Sequence, residues 1–416
     1  MDSQVKITRV TTAVVEANYD WVLVRIDAEG GLYGVGEAYM GPGVPGIVRE
    51  FASLLVGASP EGPQVLMRRL RGASVHAAPG AVDHALAGIE TALWDLLGKA
   101  YGQPVWKLLG GRFRESVRVY ADCHAGDALD SLSALLQPRT VGWMGGGGAT
   151  PQTGELSLKH HGWNPEERDF PTPDDYRRRG REMAERGFTA MKFDADIPTP
   201  YPTDEYNRSL SRVEIDYVVE RLAAVREAIG PGVDLAVDCH WNYTVADAVK
   251  LGKALEHLDL LWLEDPIPPR PIEPLAHLQS AISTPVSTGE NLYAIEDFWD
   301  LLTVGRVRVV APDVQKTGLL RAMLIAQMAD LRFVNLAIHN IASPIGFVAA
   351  AHVAAAIPNF LALEWHGASV PFFDELAGGP VIDRGYVRLS DRPGLGIELN
   401  VECAWKYRKE SEPFFE

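Results

Sequence analysis

Cysteine is scarce: Cys123, Cys239 and Cys403 are the only three. Three thiols cannot build a disulfide framework, and no CxxC pair offers a zinc or redox site. A reducing cytoplasm is therefore the simplest expected setting. Positive charge is in deficit too. Lys and Arg number 39 against 55 Asp and Glu, a formal charge of −16. That argues against a nucleic-acid binder or an anionic-membrane binder, since both need a basic footprint. Long apolar runs are missing. The most apolar region, Gly346 to Leu363, is broken by His352, Pro358 and Asn359, so no membrane span is expected. The opening MDSQVKITRV has no apolar stretch of the kind a signal peptide needs. Gly145–Gly148 is not followed by Lys-Ser or Lys-Thr, so it is not a phosphate loop. What is present is ordinary globular composition, 47% hydrophobic and 23% charged. The acidic balance leaves one question: such a protein should repel an acidic substrate unless something local reverses the field.

A length of 416 residues suits one large α/β barrel of ~250 residues plus a smaller domain. Val5–Val14, Trp21–Ile26 and Leu32–Ala38 read as strands, with a turn at Gly30-Gly31. Residues 47–109 switch to helical period. In His84–Ala100, Leu86, Ile89, Leu93, Leu96 and Leu97 share a stripe that Gly102 and Pro104 terminate. From about residue 117, short β-branched runs alternate with amphipathic stretches such as Val213–Ile229 and Thr244–His257. The runs end at Asp122, Asp194, Asp238, Glu264, Glu290, Asp313, His339 and Glu364, and beyond Asp238 they recur about every 25 residues. That period is one strand, one helix and two loops, and eight such units predict a closed parallel barrel. Residues 128–172 break the rhythm with Gly145–Gly148, several prolines and His160-His161. A stretch of that length is either a functional lid or a loose insertion.

Catalytic groups of such barrels project from the C-terminal ends of the strands. Asp238, Glu264 and Glu290 end three successive runs, each 26 residues after the last. Adjacent strands lie ~4.8 Å apart. Three carboxylates at one level would repel, and a hard divalent cation resolves this by taking one oxygen from each. Octahedral oxygen coordination favours Mg²⁺ over Zn²⁺. The alternative is that each acid only caps the helix after it, a role that suits Asp better than Glu. His339 ends the run after Asp313, so the pair can form a dyad in which the carboxylate fixes the tautomer and raises basicity. Glu364 ends the next run and can bond a substrate carboxylate or a developing enediolate, or pair with a rim cation. His240 follows Asp238 by two residues and is expected to share its strand parity. It can be a metal ligand or, because three carboxylates already suffice, a second acid/base facing His339. Lys192 and Asp194 form a Lys-x-Asp pair of shared parity. Lys192 can neutralise a substrate carboxylate or be buried against Asp194. A metal facing a histidine base suits removal of a proton next to a carboxylate, with an acid such as His240 expelling a β-hydroxyl as water.

These motifs, namely Asp238, Glu264 in WLEDP, Glu290 in STGEN, Asp313 in PDVQKTG, His339 in IHN and Glu364 in EWHG, resemble those of the enolase superfamily, and most closely its mandelate racemase subgroup. GVGEA (34–38), AGIETALWDLLGKAYGQPVWKLLGG (87–111) and PGLG (393–396) are similar to the same family. The resemblance implies a Mg²⁺ enzyme, with an α+β cap from residues 1–115 over a modified TIM-type (β/α) barrel at 116–370. Residues 371–416 are expected to pack back on the cap. DCH with His240 looks like the acid-sugar dehydratases of the galactonate dehydratase type, and also like mannonate dehydratases. In the galactonate type the histidine at the position of His240 is the acid, and the dyad, here His339 and Asp313, is the base. Asp194 departs from the subgroup's frequent Lys-x-Lys, which weakens a two-base racemase reading. Asp313 stands where cycloisomerase-like and dipeptide epimerase-like relatives carry a lysine. In this family early cap loops close over the substrate, here near Val15–Asp20 and Tyr39–Pro45. Tyr39 is the substrate-contact candidate there, and His124, just after the first barrel strand, is another. The expected partner is a small acid sugar, with no nucleic acid or membrane, in a homo-oligomer. The expected reaction is dehydration to a 2-keto-3-deoxy acid, with racemisation of a 2-hydroxy acid or a catalytically silent barrel as alternatives.

Overall fold

The computed structural model describes residues 5–125, 131–135, 138–144, 170–197, 199–201, 207–368 and 370–416. Strands β1 (Ile7–Glu16), β2 (Asp20–Ala28) and β3 (Tyr33–Ala38) form an antiparallel meander. Its second turn uses Gly30 and Gly31, both at φ 76°, a conformation in which a side chain is strained. Helices α1 (Val44–Leu55), α2 (Pro63–Ala73) and α3 (Ala81–Tyr101) share a core with this sheet. The leucine stripe of α3 is fully buried, and Gly102 ends the helix in the left-handed region at φ 63°. Gly36 on β3 lets α3 lie directly on the strand, because a Cβ there would collide with the Gly88 carbonyl and the Ala92 nitrogen.

β4 (Val117–Cys123) opens the barrel. After it, β5 (Ser131–Leu132) and β6 (Pro138–Arg139) pair with each other. The parallel barrel continues through β7 (Ala190–Asp194), β8 (Asp234–Asp238), β9 (Leu263–Glu264), β10 (Val286–Thr288), β11 (Val309–Val310), β12 (Asn335–Ile338) and β13 (Phe360–Trp365). Pairing of β13 with β4 closes it, so the eight apolar runs are the eight strands of a (β/α) barrel. One interior layer is made of Tyr120, Ala190, Ala236, Trp262, Val309, Ala337 and Ala362. The alanines leave room for the Tyr120 and Trp262 rings, which meet edge-on at 5.2 Å. This layer is the floor of the site described below.

Helix ends follow local capping. The helix Arg212–Ile229 starts where Ser211 and Glu214 cap each other's backbone N–H, and the helix Val245–Leu255 passes into a 3₁₀ turn at Glu256–Leu258. Within 128–172, Gly145–Gly148 and His160-His161 lie outside the described residues. The described parts of that stretch contact the cap's first turn: Leu132 N donates to Asn18 O at 2.8 Å and Trp143 Nε1 to Glu16 O at 2.9 Å. The last strand, β14 (Tyr386–Val387), runs antiparallel to β4. Beyond it, Glu16 N donates to Tyr407 O and Lys409 N to Val14 O, both at 2.8 Å, so the C-terminal residues lie along β1. Among the described residues no helix is long and apolar enough to cross a membrane. All three cysteines are buried and free.

Candidate active site and metal centre

Asp238 and Glu264 end β8 and β9 directly opposite each other in parallel register, and Glu290 follows two residues after β10. Each offers an oxygen within 4.8 Å of the others, and all three are buried. None caps a helix: the next helices begin only at Val245, Glu273 and Ile295. Trp262 Nε1, from the floor, donates to Glu264 Oε2 at 2.6 Å. Burial pushes the Glu264 carboxyl well above its ordinary range, and Asp238, Glu364 and Glu290 add to the rise while Lys192 opposes it. This is a set of hard oxygen donors carrying more negative charge than its surroundings balance, as a divalent cation site requires.

Lys192 enters the group from β7, almost fully buried. Its Nζ lies 2.7 Å from Glu264 Oε1 and 2.8 Å from both Asp238 Oδ2 and Glu364 Oε1. Burial works against its charge, yet Asp238, Glu264 and Glu364 hold the ammonium well above its usual pKa. Burial against Asp194 was one expectation for it; its ion-pair partners are instead Asp238 and Glu264 of the carboxylate cluster and Glu364 beside them.

His339 directly follows β12 on one wall. Its Nδ1 lies 2.7 Å from Asp313 Oδ2, and Asp313 Oδ1 accepts the Gln315 N–H at 2.6 Å. Asp313 is therefore both an N-cap, of the short helix Val314–Thr317, and the histidine's partner. His339 Nε2 faces inward, 3.1 Å from Glu290 Oε2 and 3.8 Å from Glu364 Oε2. Burial lowers the imidazole pKa, but Glu290, Glu364 and Asp313 outweigh it and raise it to about 8. Glu364 Oε2 accepts the Asn340 N–H at 3.0 Å. From the cap, the Tyr39 ring lies 6.3 Å from the His339 ring and beneath Lys316 Nζ at 3.9 Å.

His240 follows β8, the third barrel strand, whereas His339 follows β12, the seventh. In a ring of eight these positions are opposite. The parity expectation for His240 fails: β8 stops at Asp238, and His240 and Trp241 take left-handed φ of 42° and 59°. The turn itself carries the ring to the mouth, with Nδ1 2.9 Å from Asp196 Oδ1 and Nε2 3.8 Å from Asp238 Oδ2. Burial opposes its charge, but Asp196 and Asp238 hold the imidazolium well above the ordinary range.

Between these walls, His124 Nδ1 lies 3.1 Å from Asp194 Oδ2, and His366 Nε2 lies 3.0 Å from Asp122 Oδ2. The two Nε2 atoms are 3.4 Å apart. Asn18 of the cap reaches His366 Nδ1 at 2.8 Å. Burial opposes charge on His124, but Asp194 and Asp122 raise its pKa to about 10. Thus Asp238, Glu264, Glu290, Lys192, His339, Asp313, Glu364 and His240 share one mouth, with Asp194 and His124 beside it and Tyr39 above. Sequence reasoning missed Asp196, His366 and Asn18. His366 was in view within EWHG, and Asp122 as a strand end, but Asp196 and Asn18 lie in turns with no spacing signal.

The frame is thus a parallel barrel, a cap built on an antiparallel meander, and three clustered carboxylates facing a His–Asp pair. Residues 3–110 match the mandelate racemase / muconate lactonizing enzyme N-terminal domain, and residues 175–403 match the enolase C-terminal domain-like family. The chain belongs to the mandelate racemase/muconate lactonizing enzyme family of the enolase superfamily. It is 35% identical over 415 residues to a D-xylonate dehydratase of Haloferax volcanii, covering 99% of this chain and 91% of that protein. It is 30% identical over 410 residues to a D-galactonate dehydratase family member of Streptomyces bingchenggensis, covering 96% and 93%. The crystal structure of a mandelate racemase/muconate lactonizing enzyme-like protein from Rubrobacter xylanophilus superposes with TM-score 0.87 at 39% identity over 100% of both chains.

Proposed function

We propose that this protein is a Mg²⁺-dependent sugar-acid dehydratase that converts an aldonate-type acid into a 2-keto-3-deoxy acid and water. The observation that carries the reading is the pair of histidines on opposite walls, flanking three buried carboxylates. Relatives named for xylonate and galactonate dehydration support the substrate class.

The donor set fits the metal. Asp238, Glu264 and Glu290 would hold Mg²⁺, and their buried charge and the raised Glu264 pKa are what a hard cation relieves. When bound, the cation supplies positive charge where negative charge develops on the substrate carboxylate. His339 Nε2, with Nδ1 held by Asp313, takes the proton from C2. Glu364 and Lys192 line the side on which charge develops. His240 gives a proton to the departing C3 hydroxyl, which leaves as water. The resulting C2–C3 enol tautomerises to the ketone, so one water is lost per turnover. Asp194 and His124, with Tyr39 from the cap, are placed to bond the sugar's hydroxyls. We assign residues 1–115 and 371–416 to closing the mouth and 116–370 to the chemistry. The initial charge problem resolves locally: an acidic substrate meets the metal, Lys192 and two histidines.

The test is a screen of mono- and di-acid sugars with Mg²⁺, read as semicarbazone absorbance of the keto acid. Opposed histidines also suit racemisation of a 2-hydroxy acid. C2 proton exchange with solvent and no keto acid from any sugar would favour that second reading.

A further inference from the structure

We propose that Asp196 is a positioning residue for proton delivery by His240, forming with it a second histidine–carboxylate dyad opposite His339–Asp313. The proposal rests on the dehydratase reading and deepens it. Asp196 lies two residues beyond β7, and its side chain is only 4% exposed. Its Oδ1 meets His240 Nδ1 at 2.9 Å, while its Oδ2 accepts from Asn242 Nδ2 at 2.6 Å. Both carboxylate oxygens are therefore held. The wiring matches the other wall, where Asp313 gives Oδ2 to His339 Nδ1 and Oδ1 to the Gln315 N–H.

The turn that presents His240 is fixed independently. Residues other than glycine rarely take left-handed backbone, and two in succession persist only when the surroundings over-determine them. Here Trp241 N donates to Asp265 O at 2.7 Å, Asn242 N to Cys239 O at 3.0 Å, and Arg208 Nη1 to Trp241 O at 2.8 Å. His240 N also donates to Asp238 Oδ1 at 3.1 Å. This backbone places the ring, and Asp196 fixes which way it faces. With Nδ1–H bonded to Asp196, the other nitrogen, Nε2, is the one turned toward the mouth. A hydroxyl leaving group needs that proton. A leaving group that departs as a stable anion does not.

The test compares the wild-type enzyme with Asp196→Asn on a sugar acid that the wild type dehydrates, and on its 3-deoxy-3-fluoro analogue, which eliminates fluoride. The expected result for Asp196→Asn is a fall in kcat for water loss of about 100-fold. KM should be little changed, C2 proton exchange catalysed by His339 retained, and fluoride release near the wild-type rate. Asn242→Ala, which frees one oxygen of Asp196, should show the same selective loss to a smaller degree, and it stands in if Asp196→Asn does not fold. Undiminished water loss in Asp196→Asn, or equal loss of water elimination, fluoride release and exchange in a folded variant, would overturn the proposal. If the wild type itself releases no keto acid from any sugar, the dehydratase reading fails instead.

Discussion

Glu37 gives a stability prediction that can be worked through. It sits on β3 in the cap, fully buried, and caps a barrel helix, Pro344–Ala356. Glu37 Oε1 accepts the Ser343 N–H at 3.0 Å, and Oε2 accepts the Gly346 N–H at 3.0 Å and the Ser343 hydroxyl. Burial raises its pKa from 4.5 to about 7, despite these donors. A carboxyl whose folded pKa is raised favours the folded state most when it is protonated in both states, below pH 4.5. That contribution is lost as pH rises toward 7, because the unfolded chain ionises first. A shift of about 2.5 units corresponds to about 3 kcal/mol. With an unfolding entropy of about 2.1 cal/mol/K per residue, this size of chain converts that to about 4 °C. Calorimetric Tm values of wild type and Glu37→Gln should therefore be taken at pH 5 and pH 8 with no metal added. The glutamine misorients one donor set at every pH, so its absolute Tm is not the readout. Part of the effect is already lost at pH 5, so its Tm relative to wild type should rise by about 3 °C between the two pH values. Parallel curves for the two proteins would refute the argument that Glu37 is buried at the cap–barrel junction.

Two further perturbations follow from packing and charge. Lys192→Met leaves Asp238, Glu264 and Glu364 without their ammonium. Removing one partner of a buried ion pair costs about 3–5 kcal/mol, so metal-free Tm should fall by several degrees in a thermal scan. Added Mg²⁺ should raise the variant's Tm more than the wild type's, and equal metal-free Tm values would contradict the placement. Gly36→Ala forces a Cβ against the backbone of α3. Overpacking of this kind costs about 1–3 kcal/mol, so its Tm should drop at every pH, whereas an unchanged Tm would mean that β3 and α3 are not in contact.

The barrel was legible because parallel strands are covered on both faces and read as continuous apolar runs with acids at their ends. Asp238 and Glu264 were legible for the same reason, since equal spacing becomes equal height where the pairing is parallel and in register; Glu290 joins them from two residues beyond β10, whose Ser287 is the register partner of Glu264. Asp313 and His339 came from the same arithmetic. The arithmetic stops at the strand ends. His240 was picked out, but by a parity that does not extend past Asp238; a left-handed turn does the work instead. Asp196 was not picked out, because two independent loops set its distance to His240. The triple pairing of Lys192 depends on side chains from β8, β9 and β13 meeting above the Tyr120–Trp262 floor, and no single segment encodes that. The Glu37 contact links residues 306 apart in sequence, beyond any local pattern.

The most direct test is a half-reaction split. Wild type, His339→Asn and His240→Asn are incubated with a turned-over sugar acid and Mg²⁺ in D2O. Keto acid is measured by semicarbazone absorbance, and deuterium at C2 of recovered substrate by NMR. The expected outcome is keto acid from wild type only, no C2 deuterium with His339→Asn, and C2 deuterium without water loss with His240→Asn. Keto acid at wild-type rates from both folded variants would contradict the assignment of the two walls.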